Sequence, residues 1–348
     1  MRKNLSLLTM FLAALLLTAC GDAVRERRDD GIVRVAIVFS GFLGDLSFND
    51  SAFEGVQRAV SQFGIEVTAL ESGNPADWES NFVAMAAADY DLVIAVSTQF
   101  QDIVENHAPN FPNTRIALID GVARGNNPNV VSTIFAQNEG SFLAGAAAAM
   151  FTTRTEIPGV NDANIIGWVG GMDIPVLSDF FVGFEQGARF IDPSIQILQS
   201  FAGTFTDPLA GKELALAQFD MGADIIMNVA SGTGLGILEA AAETGLFAIG
   251  VDLDQDGVQP GHVLTSMLKR VDVATFYVIE SVINDTFGGG TLYLDVSNGG
   301  VSLTDMSVIR GALGGLFPME ILETIQGLEA RIRSGEITVV NYPGFGRP

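Results

Sequence analysis

From residue 33 onward, short β-branched runs alternate with longer segments whose apolar positions recur every three to four residues. The first run, 33–39, ends in Ser40-Gly41 and predicts a strand closed by a turn. Residues 51–63 place Phe53, Val56, Ala59, Val60 and Phe63 on one stripe, which predicts a helix. Strands are predicted at 65–70, 92–96, 115–119 and 130–134, with a helix over 77–88. The pattern then restarts. Helices are predicted over 139–151, 178–190 and 207–221, and strands over 164–169, 195–201, 225–229, 247–251 and 263–266. Strands alternating with helices of ten or more residues predict parallel sheets covered on both faces. Two such series in one chain predict an α/β protein of two doubly wound parallel-sheet lobes joined by a hinge. The 348 residues suffice for two lobes at about 100–200 residues per domain.

In open α/β sheets the ligand site lies past the carboxyl ends of the strands. The loops there read Ser40-Gly41-Phe42-Leu43-Gly44-Asp45, Asp120-Gly121, Phe135-Ala136-Gln137-Asn138, Gly170-Gly171-Met172-Asp173, Ala230-Ser231-Gly232-Thr233-Gly234 and Asp252-Leu253-Asp254-Gln255. Taken singly, each is explained by turn chemistry. Together they concentrate Asp, Asn and Gly at one end of the predicted sheets.

The amino end changes the picture. Met1-Arg2-Lys3 is basic, 5–17 is apolar, and Leu17-Thr18-Ala19-Cys20-Gly21 resembles the bacterial lipobox. A short apolar run ending in small residues predicts a secretory signal, 1–20, rather than a spanning helix. Cys20 is then the lipidation site, 21–32 a charged tether, and the chain extracytoplasmic and held to the membrane through its lipid. With the only Cys so used, no disulfide, thiolate nucleophile or Cys metal site is expected.

The net charge of −23 argues against nucleic acid as a partner, which needs cationic footprints. Lys is scarce, at positions 3, 212 and 269. Catalysis is not expected either. His107 and His262 lack ligand-spaced partners, Gly-x-Ser-x-Gly is absent, and the acidic run from Asp252 to Gly257 lacks the Glu that a calcium loop needs. No cofactor and no metal are expected.

Asp45-Leu46-Ser47-Phe48-Asn49-Asp50-Ser51-Ala52-Phe53-Glu54-Gly55 resembles the opening motif of the basic membrane protein (BMP) lipoprotein family. Five further segments fit in order: Ile119-Asp120-Gly121; 139–145; 166–171 with Gly183-Phe184; 232–236; and 249–255 followed by 266–270. The resemblance implies the type I periplasmic-binding-protein fold, with 33–137 plus about 264–298 in one lobe and 138–263 plus about 299–348 in the other. It implies a monomeric receptor that captures a nucleoside, purine favoured, and delivers it to an ABC-type permease. A sugar or a furanone-type signal on the same scaffold is the alternative.

Carried over by motif, Asp45 and Asn49 lie in the first-lobe binding loop. Asp120 resembles the acid that accepts from a base's ring N–H, and Asp252 with Lys269 the ribose end, where an acceptor and a donor match vicinal hydroxyls. The alternative reading of Lys269 is an ordinary ion pair with Asp252 or Asp254. Gly232 and Thr233 place backbone beside the ligand. Phe53 either stacks on a base or joins the core stripe of its helix. Where the family often has an aromatic residue before the Gly-Thr-Gly loop, this chain has Met227, so the second face of the base falls to Met227 or to Phe181.

Overall fold

The structure, a computed structural model, describes residues 31–125 and 127–345. The expected signal peptide, Cys20 and tether residues 21–30 lie outside the described residues.

The chain runs β1 (Arg34–Phe39), α1 (Phe48–Phe63), β2 (Glu66–Glu71), α2 (Pro75–Ala87), β3 (Leu92–Val96), α3 (Gln101–His107), β4 (Arg115–Ile119) and β5 (Val130–Phe135). It continues through α4 (Gln137–Phe151), β6 (Ile165–Gly170), α5 (Pro175–Ile191), β7 (Gln196–Phe201), α6 (Pro208–Asp220), β8 (Ile225–Val229), α7 (Gly234–Thr244), β9 (Phe247–Asp252) and β10 (Val263–Lys269). Then follow α8 (Val271–Ile283), β11 (Gly290–Leu294), β12 (Val301–Leu303), α9 (Ser307–Leu313) and α10 (Met319–Arg333). Two six-stranded sheets result, ordered β11-β5-β4-β3-β1-β2 and β12-β10-β9-β8-β6-β7. Every neighbouring pair is parallel except β10 with β12.

The central strands are apolar throughout because both faces are covered. Along β1, Val35, Ile37 and Phe39 face one core cluster, while Ala36 and Val38 face another that contains Phe82 and Phe100. The start of α1 is built by Asp45, whose carboxylate accepts from the backbone N–H of Ser47, Asn49 and Asp50. Those are donors that a helix start otherwise leaves unsatisfied. The helix therefore begins three residues before the apolar stripe suggests.

The chain crosses between sheets after β5, after β10 and between β11 and β12. The sequence places the return to the first lobe at about residue 264. Instead, β10 stays in the second sheet through Lys269, which pairs with Val301 of β12, and the crossing falls at Arg270. The strand continues because its far end is still covered: Met267 is fully buried and Lys269 nearly so. Beyond the crossing, α8 packs on α1 of the first lobe, with Phe63 and Phe276 stacked at 5.5 Å.

The second lobe holds the closest helix pair, α4 against α5. A Cβ on Gly145 would overlap the Phe184 carbonyl, and one on Gly187 the Phe142 carbonyl. No helix among the described residues is long and apolar enough to cross a membrane.

Candidate functional site

Loops at the carboxyl ends of β1, β3, β4, β8 and β9 meet the starts of α5 and α6 around a cavity of about 260 Å³ between the sheets. That volume lies just below the range for small-molecule sites, about 300–1,000 Å³. Three non-glycine residues at these strand ends hold left-handed backbone: Asp120 (φ 64°), Ser231 (φ 51°) and Asp252 (φ 66°). Positive φ is uncommon outside Gly and is tolerated best by Asp and Asn. At each place it ends a strand sharply and presents the side chain at the sheet edge.

At the centre lies Lys269, the last residue of β10 and 2 % exposed. Its Nζ donates to Asp120 Oδ2 at 2.7 Å. The ammonium also sits over the rings of Phe48, Phe135 and Phe180, at 5.5, 5.1 and 5.1 Å from their centroids. Aromatic faces attract a cation and partly replace the water it has lost. An ammonium has three N–H donors, so with one given to Asp120 two remain.

The carboxylates around it are unequal. Burial pushes Asp120 above the ordinary carboxylate range, opposed by the charge and hydrogen bond of Lys269. Burial pushes Asp252 up to about 7, against the attraction of Lys269 and a hydrogen bond from Ser47, and with Asp45 and Asp120 repelling. Asp45 is fully engaged: its oxygens take the three α1 amides and the Ser231 hydroxyl.

Several of these bonds run from lobe to lobe. Ser231 Oγ donates to Asp45 Oδ2 at 2.6 Å, Ser47 Oγ to Asp252 Oδ2 at 2.6 Å, and Gln255 Nε2 to the Leu46 carbonyl at 2.9 Å. The residue 45–47 loop of the first lobe is thus held directly by the loops after β8 and β9. This is a closed arrangement.

Asp252 and two buried carboxylates outside the cavity make a pH prediction. Asp179 and Asp224 are each raised by burial to about 6. A carboxylate whose folded pKa exceeds its unfolded value binds more protons when folded, so its contribution to stability is complete at low pH and is lost as pH rises through the folded pKa. For these three the window runs from about 4 to about 7. Carboxylates held low, such as Asp192 by hydrogen bonds from Ser194 and Asn164, act oppositely only near and below their ordinary range. The melting temperature of the ligand-free protein is therefore expected to rise as pH falls from 8 to 5. A flat or falling profile in calorimetric scans over that interval would contradict these assignments.

Of the residues singled out from sequence, Asp45, Asn49, Asp120, Gly232, Asp252 and Lys269 line the cavity together. Four others do not. Phe53 packs edge-on against Phe39, centroids 6.3 Å apart, so its ring belongs to the core stripe. Phe181 turns against Trp168 at 5.4 Å, because successive helical side chains diverge by about 100° and the cavity-facing stripe of α5 runs through Val176, Leu177 and Phe180. Thr233 is fully buried, its hydroxyl accepting from Asp207 N and donating to the Thr204 carbonyl. Met227 is likewise fully buried within β8.

Phe42, Phe48, Phe180 and Phe205 supply the aromatic walls instead. The α5 stripe could have pointed to Phe180, since Val176, Leu177, Phe180 and Phe184 recur at helical spacing. The turn after β3, Ser97-Thr98-Gln99, also lines the cavity. It carries no Asp, Asn or Gly, the residues by which the other strand-end loops stand out, and Ser97 alone is a weaker turn signal.

Comparison with known proteins agrees with this geometry. Residues 32–313 match the family model described as ABC transporter substrate-binding protein PnrA-like. The chain is 30% identical over 283 residues to the ABC transporter nucleoside-binding protein BmpA of Lactococcus lactis, covering 75% of this chain and 78% of that protein. It is 28% identical over 370 residues to an uncharacterized lipoprotein of Pyrococcus abyssi, covering 96% and 90%. Among solved structures, an ABC transporter solute-binding protein from Aeropyrum pernix superposes with a TM-score of 0.80 at 31% identity, covering 90% of this chain and 94% of that one.

Proposed function

The chain belongs to the family of PnrA-like ABC transporter substrate-binding proteins, and on that premise we propose that its ligand is a nucleoside. Family membership makes it a binding protein, not an enzyme, that carries a small ligand to a permease. The observation that carries the nucleoside reading is the buried Asp120–Lys269–Asp252 cluster inside an aromatic-walled cavity. Burying charge is costly unless it is paired and hydrogen-bonded. A base and a ribose use all of it: phenyl faces for the ring, a carboxylate for a ring N–H, and the remaining acceptors and N–H groups for hydroxyls. The printed name of the Lactococcus relative supports the same class.

Ligand bridging both lobes favours the closed arrangement by its preference for that state. The lipobox-like segment and the lipoprotein name of the Pyrococcus relative support a receptor outside the cytoplasm, anchored by lipid at Cys20.

The test is calorimetric titration of the protein lacking the leader through Cys20, unfolded and refolded to strip carried-over ligand. Guanosine, inosine, adenosine, cytidine, uridine and ribose are compared. At least one nucleoside is expected to bind at micromolar dissociation constant or tighter, and Asp252→Ala to weaken it about a hundredfold, the cost of a lost charge-assisted bond with its partner left unpaired. No heat with any nucleoside from a cooperatively folded preparation would overturn the reading.

A further inference from the structure

Ser97 has φ 117° and ψ 144°, a conformation outside the left-handed helical well and close to one that is essentially glycine's own. It is buried, at 8 % exposure, on the cavity wall. Strain of this kind persists only where surrounding structure holds it, and it collects at functional sites. Two anchors hold it here. Ser97 N donates to the Ile119 carbonyl at 3.0 Å, which ties the turn to the end of β4 beside Asp120. Phe100, fully buried against Trp78, pins the other end. A Cβ on Gly121 would lie 3.4 Å from Thr98 Cα, so the turn and the Asp120-Gly121 corner lie against each other.

The strained turn orients one side chain. Ser97 Oγ accepts from Gln99 N at 3.2 Å and donates to Gln99 Oε1 at 3.4 Å. With Oε1 engaged there, the amide presents Nε2, which has no acceptor among the described residues. Gln99 lines the same cavity as Asp120, whose Oδ1 likewise has no donor among the described residues. Lys269, donating to Asp120 Oδ2 at 2.7 Å, favours the accepting carboxylate against the effect of burial and leaves Oδ1 for a further bond.

Resting on the nucleoside reading above, we propose that the Ser97–Gln99 turn selects the ligand's base: Gln99 Nε2 donates and Asp120 accepts side by side, a pair complementary to the –CO–NH– edge of a lactam base. Guanosine, inosine and uridine carry that edge. Adenosine and cytidine present the reverse order, an amino donor beside a ring nitrogen whose lone pair would face the carboxylate. Such a mismatch leaves buried polar groups unpaired, which is how hydrogen-bonding sites reject close analogues. Gln99 is the specificity-determining residue and Ser97 the positioning residue.

The experiment measures affinities of the refolded protein, Gln99→Leu, Gln99→Glu and Ser97→Ala for guanosine, inosine, uridine, adenosine and cytidine. Gln99 is only partly buried, so its variants are expected to melt with the parent, which a thermal scan checks. The parent is expected to favour lactam nucleosides at least about tenfold. Gln99→Leu should lower their affinity about tenfold, the worth of one hydrogen bond, and leave the amidine nucleosides nearly unchanged. Gln99→Glu, with an acceptor in place of the donor, should lower it further. Ser97→Ala frees the amide to turn over and should narrow the lactam-to-amidine ratio, which a merely structural role for Ser97 would not move. If the parent binds nucleosides but Gln99→Leu keeps its ratio within about twofold, the turn does not select the base. If the parent binds no nucleoside, the nucleoside reading itself falls and this inference with it.

Discussion

Lys269→Met is expected to destabilise the protein by about 3–5 kcal/mol and to abolish ligand binding. The size follows from what remains behind. Asp120 is 8 % exposed and Asp252 7 % exposed, and Lys269 is the cation that acts on both. Removing one partner of a buried ion pair is far more damaging than replacing the whole pair with apolar groups, because an uncompensated charge stays inside. The variant can escape only by protonating its carboxylates, so its loss should be greatest above neutral pH and shrink towards pH 5. Two measurements check this. Thermal scans at pH 8 should show melting lowered by roughly 5–10 °C, and adding Asp120→Asn to Lys269→Met should recover part of it. If the single variant melts with the parent at pH 8, the ammonium is not compensating these carboxylates.

Gly187→Ala is expected to lose at least about 2 kcal/mol of stability, and here two physical effects predict opposite signs. Helix propensity alone favours Ala over Gly in a helix interior by about 1 kcal/mol. Packing opposes it, since the new methyl would overlap the Phe142 carbonyl, which is backbone of α4 and cannot rotate away. Gly183 meets the Asn138 backbone one turn earlier, and Gly145 meets Phe184 from the other side, so the two helices share one close seam. Overpacking such a contact costs about 1–3 kcal/mol even where side chains can yield, and here the helices must separate. Because α5 carries Phe180 at the cavity wall, the same shift should weaken ligand binding. Denaturant unfolding decides the matter: a stabilised Gly187→Ala would mean that propensity wins and the seam is looser than its geometry.

How much was legible in the sequence depended on the kind of residue. Acids and amides at strand ends were readable because a parallel sheet puts its site there whatever the lobe geometry, and Asp45, Asn49, Asp120 and Asp252 all reach the cavity. The rings were not. Phe53 and Phe181 lie one helical step or one strand away from walls filled by Phe48, Phe180, Phe42 and Phe205. Which of two neighbouring aromatics faces the cleft depends on which face of the helix the rest of the fold covers, and that is a tertiary property. The partner of Lys269 was equally hidden. The sequence offered Asp252 or Asp254 as its ion-pair partner, and Asp252 does lie opposite the neighbouring Leu268 in the β-ladder, yet the ammonium reaches across to Asp120 of the other lobe.

By itself, the chain's alternation of β-branched runs and amphipathic helices determined the doubly wound sheets, their pairing into two lobes and the end of the sheets at which the cavity lies. Those follow from period and burial, which are local properties of a chain. Only the tertiary structure decided the contacts between lobes: Ser231 on Asp45, Ser47 on Asp252, Gln255 on Leu46, and Lys269 on Asp120. Each joins residues more than 140 apart in sequence. Such pairs leave no periodic signal, because they form only when three crossings bring the carboxyl ends of the two sheets together.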